Sequence, residues 1–240
     1  MLHALLPLKD LSNAKTRLSG VLSLSRRRAL AQAMAEDVLQ CLLHHPKITT
    51  VTLLSPDPAA PHLAASSGAR YLDERSLGSS GLNGVLTEAL SQQGDAALHH
   101  LIAHGDLPAL SAGDISLAVE ALQSTDVVIG SDLAGQGTNL LAFRGGRQPQ
   151  LAFGTDSYTR HRAAAEQAGL ICKNLQTSGI GFDVDAPADL ATLLALYRKG
   201  ALGNHTSRLL QAGLAERLSL VIDSLQTQPC DDGAAERSEG

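Results

Sequence analysis

The chain has 240 residues, enough for one large domain or two small ones with a well-buried core. Hydrophobic residues make up 44%, which argues against disorder, and 19 basic against 24 acidic residues leave a formal net charge of −5, without the electrostatic footprint of a general nucleic-acid binder. Aromatics are 2% with no Trp, too few for a base-stacking surface, and no apolar run approaches the ~18–20 residues that span a membrane.

The opening Met1–Leu8 is apolar but lacks a preceding cation and a following small-residue cleavage site, so it reads as a first strand over 2–8 rather than a signal peptide. The stripe of Leu30, Met34, Val38, Cys41 and Leu42 predicts a helix over 25–44. Residues 48–54 are β-branched and end in Ser55-Pro56-Asp57-Pro58, a strand followed by a loop. A helix over 81–91, a strand over 98–103 and a helix opened by a capping box at Ser111–Asp114 come next. Strands over 126–130 and 139–143 precede a helix over 156–168. Pro187 marks a first helical position, with Asp185 just outside it, and that helix runs to Tyr197. A last amphipathic helix is expected over 206–225. Residues 226–240 turn polar and acidic and read as a disordered tail.

Strands alternating with helices predict an α/β fold: one domain over 1–225, with a mostly parallel sheet and helices on both faces. In such sheets the ligand crevice lies at the carboxyl ends of the strands. Cys41, Cys172 and Cys230 are far apart and form no C-x-x-C pair, which fits a reduced, cytoplasmic protein.

Five segments could carry chemistry. After the first strand, Lys9, Lys15 and Arg17 form a cationic loop able to wrap a polyphosphate, although the same loop also reads as a solvated basic surface. His104-Gly105-Asp106-Leu107-Pro108 delivers an Asp to the end of a strand, where it holds a divalent metal or simply forms a turn. In Phe182-Asp183-Val184-Asp185, residues two apart point the same way, so Asp183 and Asp185 converge on a cation, or Asp185 merely caps the next helix. Gly135–Asn139 and Phe153–Ser157 are either anion-binding turns at helix starts or ordinary turns. In Gly81-Leu82-Asn83-Gly84, Asn83 either faces a nucleoside or sits in a plain loop entering a helix. The histidine pairs lack metal-ligand spacing, and Arg26-Arg27-Arg28 reads as a solvated face.

The order of these segments is more specific than any one of them. The cationic loop, Gly-Leu-Asn, Gly-Asp-Leu-Pro, Gly-Thr-Asn, Phe-Gly-x-x-Ser and Asp-Val-Asp-x-Pro-x-Asp-Leu together resemble the 2-phospho-L-lactate guanylyltransferase family of coenzyme F-420 biosynthesis, from about residue 4 to residue 197. The helix at 206–225 and the tail fall outside the match.

The resemblance implies a nucleotide-diphospho-sugar-transferase-like fold. It also implies transfer of GMP from GTP to the phosphate of a small phosphorylated acid: 2-phospho-L-lactate, phosphoenolpyruvate or 3-phospho-D-glycerate. By the same resemblance, Asp106, Asp183 and Asp185 hold Mg²⁺. Thr138, Gly154 and Ser157 bind the acceptor. Lys9, Lys15 and Arg17 lie on the GTP phosphates, with Lys15, Arg17 and Asp106 catalytic, and Asn83 lies near the guanine nucleoside. It further implies handover to a downstream deazaflavin transferase and leaves room for a homodimer. A molybdopterin guanylyltransferase or sugar-phosphate nucleotidyltransferase would share the fold but carry a Gly-rich signature where Lys9–Arg17 stands. A non-catalytic nucleotide-binding regulator would need no group of three carboxylates.

Overall fold

The computed structural model describes residues 1–93 and 97–226. Seven strands form one sheet: β1 (Leu2–Pro7), β2 (Ile48–Ser55), β3 (Arg70–Asp73), β4 (His99–Ala103), β5 (Val127–Ser131), β6 (Thr138–Phe143) and β7 (Cys172–Leu175). Their spatial order is β3-β2-β1-β4-β6-β5-β7. Every neighbouring pair is parallel except those made by β6, which runs antiparallel to both β4 and β5.

Side chains alternate across β1. Leu2, Ala4 and Leu6 enter a core with Val38, Leu39 and Leu42 of helix α1 (Leu24–Leu43), while Leu5 faces Val85 and Leu86 of α3 (Gly81–Ser91) on the other side. The first face is completed by α2 (Ala60–Ser67) and α4 (Ala112–Ala121), the second by α5 (Ser157–Gln167). The expected capping box opens α4: Ser111 Oγ accepts from the Asp114 N–H, and the Asp114 carboxylate accepts from the Ser111 N–H.

The chain builds outward from β1 through β2 to β3, then returns across β1 to place β4 on its other side. This reversal opens the crevice between the carboxyl ends of β1 and β4. The segments leaving those two ends, Leu8–Leu18 and His104–Asp106, therefore face one another. Because β6 is antiparallel, its beginning rather than its end lies at this edge, which brings Thr138 and Asn139 there.

A third apolar cluster lies under the cationic loop. Leu18, Leu30 and Met34 pack with Leu190 and Leu193 of α7 (Asp189–Arg198) and with Leu210, Leu214 and Leu218. Between α6 (Ser178–Gly181) and α7 run the two acidic positions Asp183 and Asp185.

Two expectations at the C-terminal end need correction. The helix expected at 206–225 is two helices, α8 (Asn204–Leu209) and α9 (Ala215–Gln226), joined through a turn in which Gly213 takes φ +106°, a value that breaks a right-handed helix. Nor does Pro187 begin α7, which starts at Asp189. The short elements α2, β3, α6 and β7 had no periodic signal long enough to read. The expected tail and Cys230 lie outside the described residues, apart from residue 226 at the end of α9.

Candidate active site

The cationic loop is held in a defined shape by its neighbours. Asp57, after β2, accepts from the Leu11 N–H at 2.7 Å and from the Ala59 N–H at 2.7 Å. Arg27 Nη1 donates to the Ala14 carbonyl at 2.9 Å, so the middle of the arginine triplet braces the loop and is not just a solvated face. The next residue, Lys15, adopts a left-handed backbone (φ 49°, ψ 51°), uncommon for a residue with a side chain. That conformation sends its ammonium inward.

Lys15 Nζ lies 2.6 Å from Asp106 Oδ2 and 2.7 Å from Asp185 Oδ1, with only 11% of its side chain exposed. Burial opposes the Lys15 charge, but Asp106 and Asp185 outweigh it and raise its pKa. Burial likewise opposes the Asp106 charge, but Lys15, His104 and a backbone hydrogen bond together outweigh it and hold that carboxyl below its ordinary value. The cap reading of Asp185 does not hold. Asp189 Oδ2 accepts from the backbone N–H groups of Asp185 (2.8 Å) and Ala186 (2.6 Å), which leaves the Asp185 carboxylate to Lys15.

Asp183 completes an acidic triad. One oxygen each of Asp106, Asp183 and Asp185 lie within 4.8 Å of one another. Asn139, at the start of β6, donates through Nδ2 to Asp183 Oδ1 at 3.3 Å and to the Ile180 carbonyl at 3.0 Å. Burial, then the Asp106 and Asp185 charges, push the Asp183 carboxyl up to about 6. Lys15 pairs with Asp106 and Asp185 while Asp183 meets the neutral Asn139 amide, so three carboxylates stand against one bonded ammonium and the cluster is short of positive charge. Three converging carboxylate oxygens are the donor set a hard divalent cation such as Mg²⁺ accepts.

These groups open on a cleft of about 580 Å³ bordered by Lys9, Lys15, Arg17, His104, Asp106 and Asp185. The His104 Nε2 is buried without a hydrogen-bond partner, and burial lowers the pKa of its imidazole.

Thr138, Gly154 and Ser157 also come together, as a tightly bonded edge. The Thr138 N–H donates to Ser157 Oγ at 2.8 Å, Thr138 Oγ1 lies 3.0 Å from His161 Nδ1, and the Ser157 N–H donates to the Gly154 carbonyl at 3.2 Å. His161 Nε2 accepts from the Ala152 N–H at 2.9 Å, which fixes the proton on Nδ1 and makes that nitrogen the donor to Thr138. Both hydroxyl residues are buried. Gly154 sits at φ +122°, reserved for glycine. The edge joins the cleft through His104, whose ring lies 5.3 Å from that of Phe153. Asn83 spends both its polar atoms on the Phe153 backbone.

Asn139, Asp57 and Arg27 were not singled out from the sequence. Asn139 stood in the Gly-Thr-Asn run and Asp57 at the end of a strand between two prolines, and both were readable there. Arg27 carried no signal of its own.

The family described as "Guanylyl transferase CofC like" matches residues 2–211. The chain belongs to this family. Among curated relatives of this guanylyl transferase-like chain, a phosphoenolpyruvate guanylyltransferase of Sphaerobacter thermophilus is 36% identical over 82% of this chain and 95% of its own. A 3-phospho-D-glycerate guanylyltransferase of Phenylobacterium zucineum is 31% identical, covering 88% of this chain and 95% of its own. The fold matches a solved structure from Desulfovibrio desulfuricans G20, assigned as a nucleotide-diphospho-sugar transferase, with a TM-score of 0.73 at 20% identity, over 92% of this chain and 97% of that one. The family match extends past residue 197 to Leu210 and Gln211, and so takes in α8, which the motif resemblance did not reach. No helix among the described residues is long and apolar enough to cross a membrane.

Proposed function

We propose that this chain transfers GMP from GTP to the phosphate of a small phosphorylated three-carbon acid, releasing pyrophosphate, as a step in the biosynthesis of coenzyme F-420 or a derivative. The observation that carries this reading is the convergence of Asp106, Asp183 and Asp185 beneath the Lys9–Arg17 loop, in a member of the guanylyl transferase family. The acceptor is phosphoenolpyruvate, 3-phospho-D-glycerate or 2-phospho-L-lactate. These differ by a methyl, a methylene or a displaced hydroxyl, and discrimination at that level rests on pocket shape.

The chemistry joins two anions. An acceptor phosphate oxygen attacks the α-phosphorus of GTP, and the bond from that phosphorus to the β-phosphate oxygen breaks, so the leaving group is pyrophosphate. The acceptor oxygen is already ionised, so no general base is needed. Lys9, Lys15 and Arg17 gather the triphosphate and offset its charge, with Arg17 as a planar fork and the lysines as point charges. Asp106, Asp183 and Asp185 hold Mg²⁺, which neutralises charge on the reacting phosphates. Thr138, Gly154 and Ser157 shape the acceptor subsite. Asn83 braces that subsite through Phe153, at the border with the nucleoside. Holding both substrates in line lowers the entropic part of the barrier. We place the enzyme in the cytoplasm, handing its product to a deazaflavin transferase.

The test supplies purified protein with GTP, Mg²⁺ and each of the three acceptors, and measures pyrophosphate, with the downstream transferase and deazaflavin precursor present to trap an unstable diphosphate. Acceptor-dependent release with at least one acid is expected. GTP left intact with all three overturns the proposal.

A further inference from the structure

The salt bridges at the centre of the site carry a consequence for how it loads. We propose that Lys15 is the resident cation of the acidic triad: its ammonium holds the carboxylate oxygens that a divalent ion needs, so that metal and Lys15 exclude one another, and metal loading frees the ammonium for the nucleotide phosphates. This rests on reading the three carboxylates as a metal site.

The geometry of Asp106 sets up the competition. Its Oδ2 is the atom Lys15 holds at 2.6 Å, while its Oδ1 is buried with no hydrogen-bond partner. Asp185 Oδ1 is held by the same ammonium at 2.7 Å. A small divalent cation takes carboxylate oxygens at about 2.0–2.1 Å. Such an ion on these two oxygens and an ammonium on the same two would press like charges together in a largely buried place.

The backbone adds a second observation. Lys15 stands at φ 49°, ψ 51°, a conformation that side-chain-bearing residues adopt at a cost and keep only where the surroundings enforce it. The two ion pairs and the braced Ala14 carbonyl enforce it here. The long flexible stem of lysine lets the ammonium leave the triad for the cleft, which Lys9 and Arg17 also border.

Metal alone must therefore displace the ammonium from two carboxylates without bringing an anion of its own, and it binds weakly. A triphosphate in the cleft supplies that anion. Metal and nucleotide thus favour each other's binding, each by the same factor.

Mn²⁺ alone, without nucleotide, is titrated into the full chain and into its Lys15→Met variant, with free Mn²⁺ read by electron paramagnetic resonance. At least ~10-fold tighter Mn²⁺ binding by Lys15→Met is expected, about 1.4 kcal/mol. Equal or weaker binding by the variant overturns the proposal. The unsubstituted chain gives a second measurement that survives misfolding of the variant. Acylation of Lys15 by an N-hydroxysuccinimide ester, followed by peptide mass spectrometry against exposed Lys47, is expected to rise when Mn²⁺ is added. Unchanged or reduced labelling at Mn²⁺ concentrations that occupy the site overturns the inference. If pyrophosphate release proceeds normally while either measurement fails, only the Lys15 exchange falls. If neither protein binds Mn²⁺, the exchange falls together with the metal reading beneath it.

Discussion

Asn83 grips the backbone of Phe153 from both sides, its Nδ2 donating to the carbonyl at 3.0 Å and its Oδ1 accepting from the N–H at 2.7 Å. The two residues are 70 positions apart, one in the first turn of α3 and the other just before the left-handed Gly154. One primary amide thus satisfies both backbone polar groups of a residue that no strand or helix pairs. Phe153 in turn packs edge-on against His161 and tilts on His104, so the amide fixes a ring shared by the Thr138–Ser157 edge and the cleft.

Asn83→Ala leaves that N–H and carbonyl without their partners. A loss of about 1–3 kcal/mol of stability is expected, read from the denaturant midpoint, together with a raised KM for the acceptor. A midpoint and an acceptor KM both equal to those of the unsubstituted protein would show that the Phe153 segment does not depend on this bond pair.

The acidic triad gives a sharper prediction. Asp106→Asn, Asp183→Asn and Asp185→Asn are each expected to lower guanylyl transfer at least ~10²-fold while far-ultraviolet dichroism stays unchanged. Asp185→Asn discriminates well, since Asp189, not Asp185, closes the turn before α7. Near-normal turnover in both Asp106→Asn and Asp183→Asn would end the metal reading.

Asn139 donates to Asp183, so on the proposed reading it acts on the metal through that carboxylate. Asn139→Ala removes the bond to Asp183 Oδ1, and Mn²⁺ affinity measured on the nucleotide-free protein is expected to fall about 10-fold, the lower end of what outer-shell partners of metal ligands contribute. Unaltered Mn²⁺ binding would reduce Asn139 to its other bond, the one to the Ile180 carbonyl.

Most of the sheet was legible because its central strands are continuous apolar runs bounded by turn residues, as in 48–54 and 126–130. The edges were not. β3 and β7 span four residues each, too short for periodicity, and Arg70, Lys173 and Asn174 are exposed. The site was legible as a set of segments, since Asp106 follows a strand and Asp183 and Asp185 share an extended face. Its wiring was not. A cap at Asp185 and a ligand at Asp185 look alike until Asp189 is seen taking the N–H groups. The rule that functional residues follow strands also passes over Thr138 and Asn139, which begin an antiparallel strand whose direction the sequence does not reveal.

Stability should depend on pH through His161. Burial lowers its pKa from 6.5 to about 4, so between those values the unfolded chain binds more protons than the folded one. Its contribution is complete above about pH 6.5 and is lost as pH falls towards 4. Protonation of Nε2 would also break the bond from the Ala152 N–H. Asp183, raised to about 6, acts with the opposite sign, gaining stability as pH falls. Comparison with His161→Gln removes that common term. The stability lost by the unsubstituted protein between pH 7 and pH 5 should exceed the loss in His161→Gln by about 2 kcal/mol. Parallel pH profiles would mean that His161 titrates normally.

Acceptor and nucleotide should separate at the Thr138–Gly154–Ser157 edge. Ser157 Oγ accepts the Thr138 N–H, so Ser157→Ala both removes a hydroxyl at the start of α5 and strands a buried backbone donor. Thr138→Ala instead removes the partner of His161 Nδ1. Each is expected to weaken the phosphorylated acid by roughly 10–150-fold, equivalent to about 1.5–3 kcal/mol, with little change in the GTP dependence. Gly154→Val should be more damaging, for a reason that lies in the backbone rather than in crowding. An added Cβ at Gly154 meets only Arg160 Nη1, at 3.8 Å, whereas φ +122° is closed to a β-branched residue. Valine must therefore rotate the peptide unit that carries the Ser157 N–H acceptor, and the edge shifts with it. Steady-state kinetics with each substrate varied against a saturating partner reads all three variants. If Ser157→Ala changed the GTP dependence alone, the two subsites would have to be exchanged.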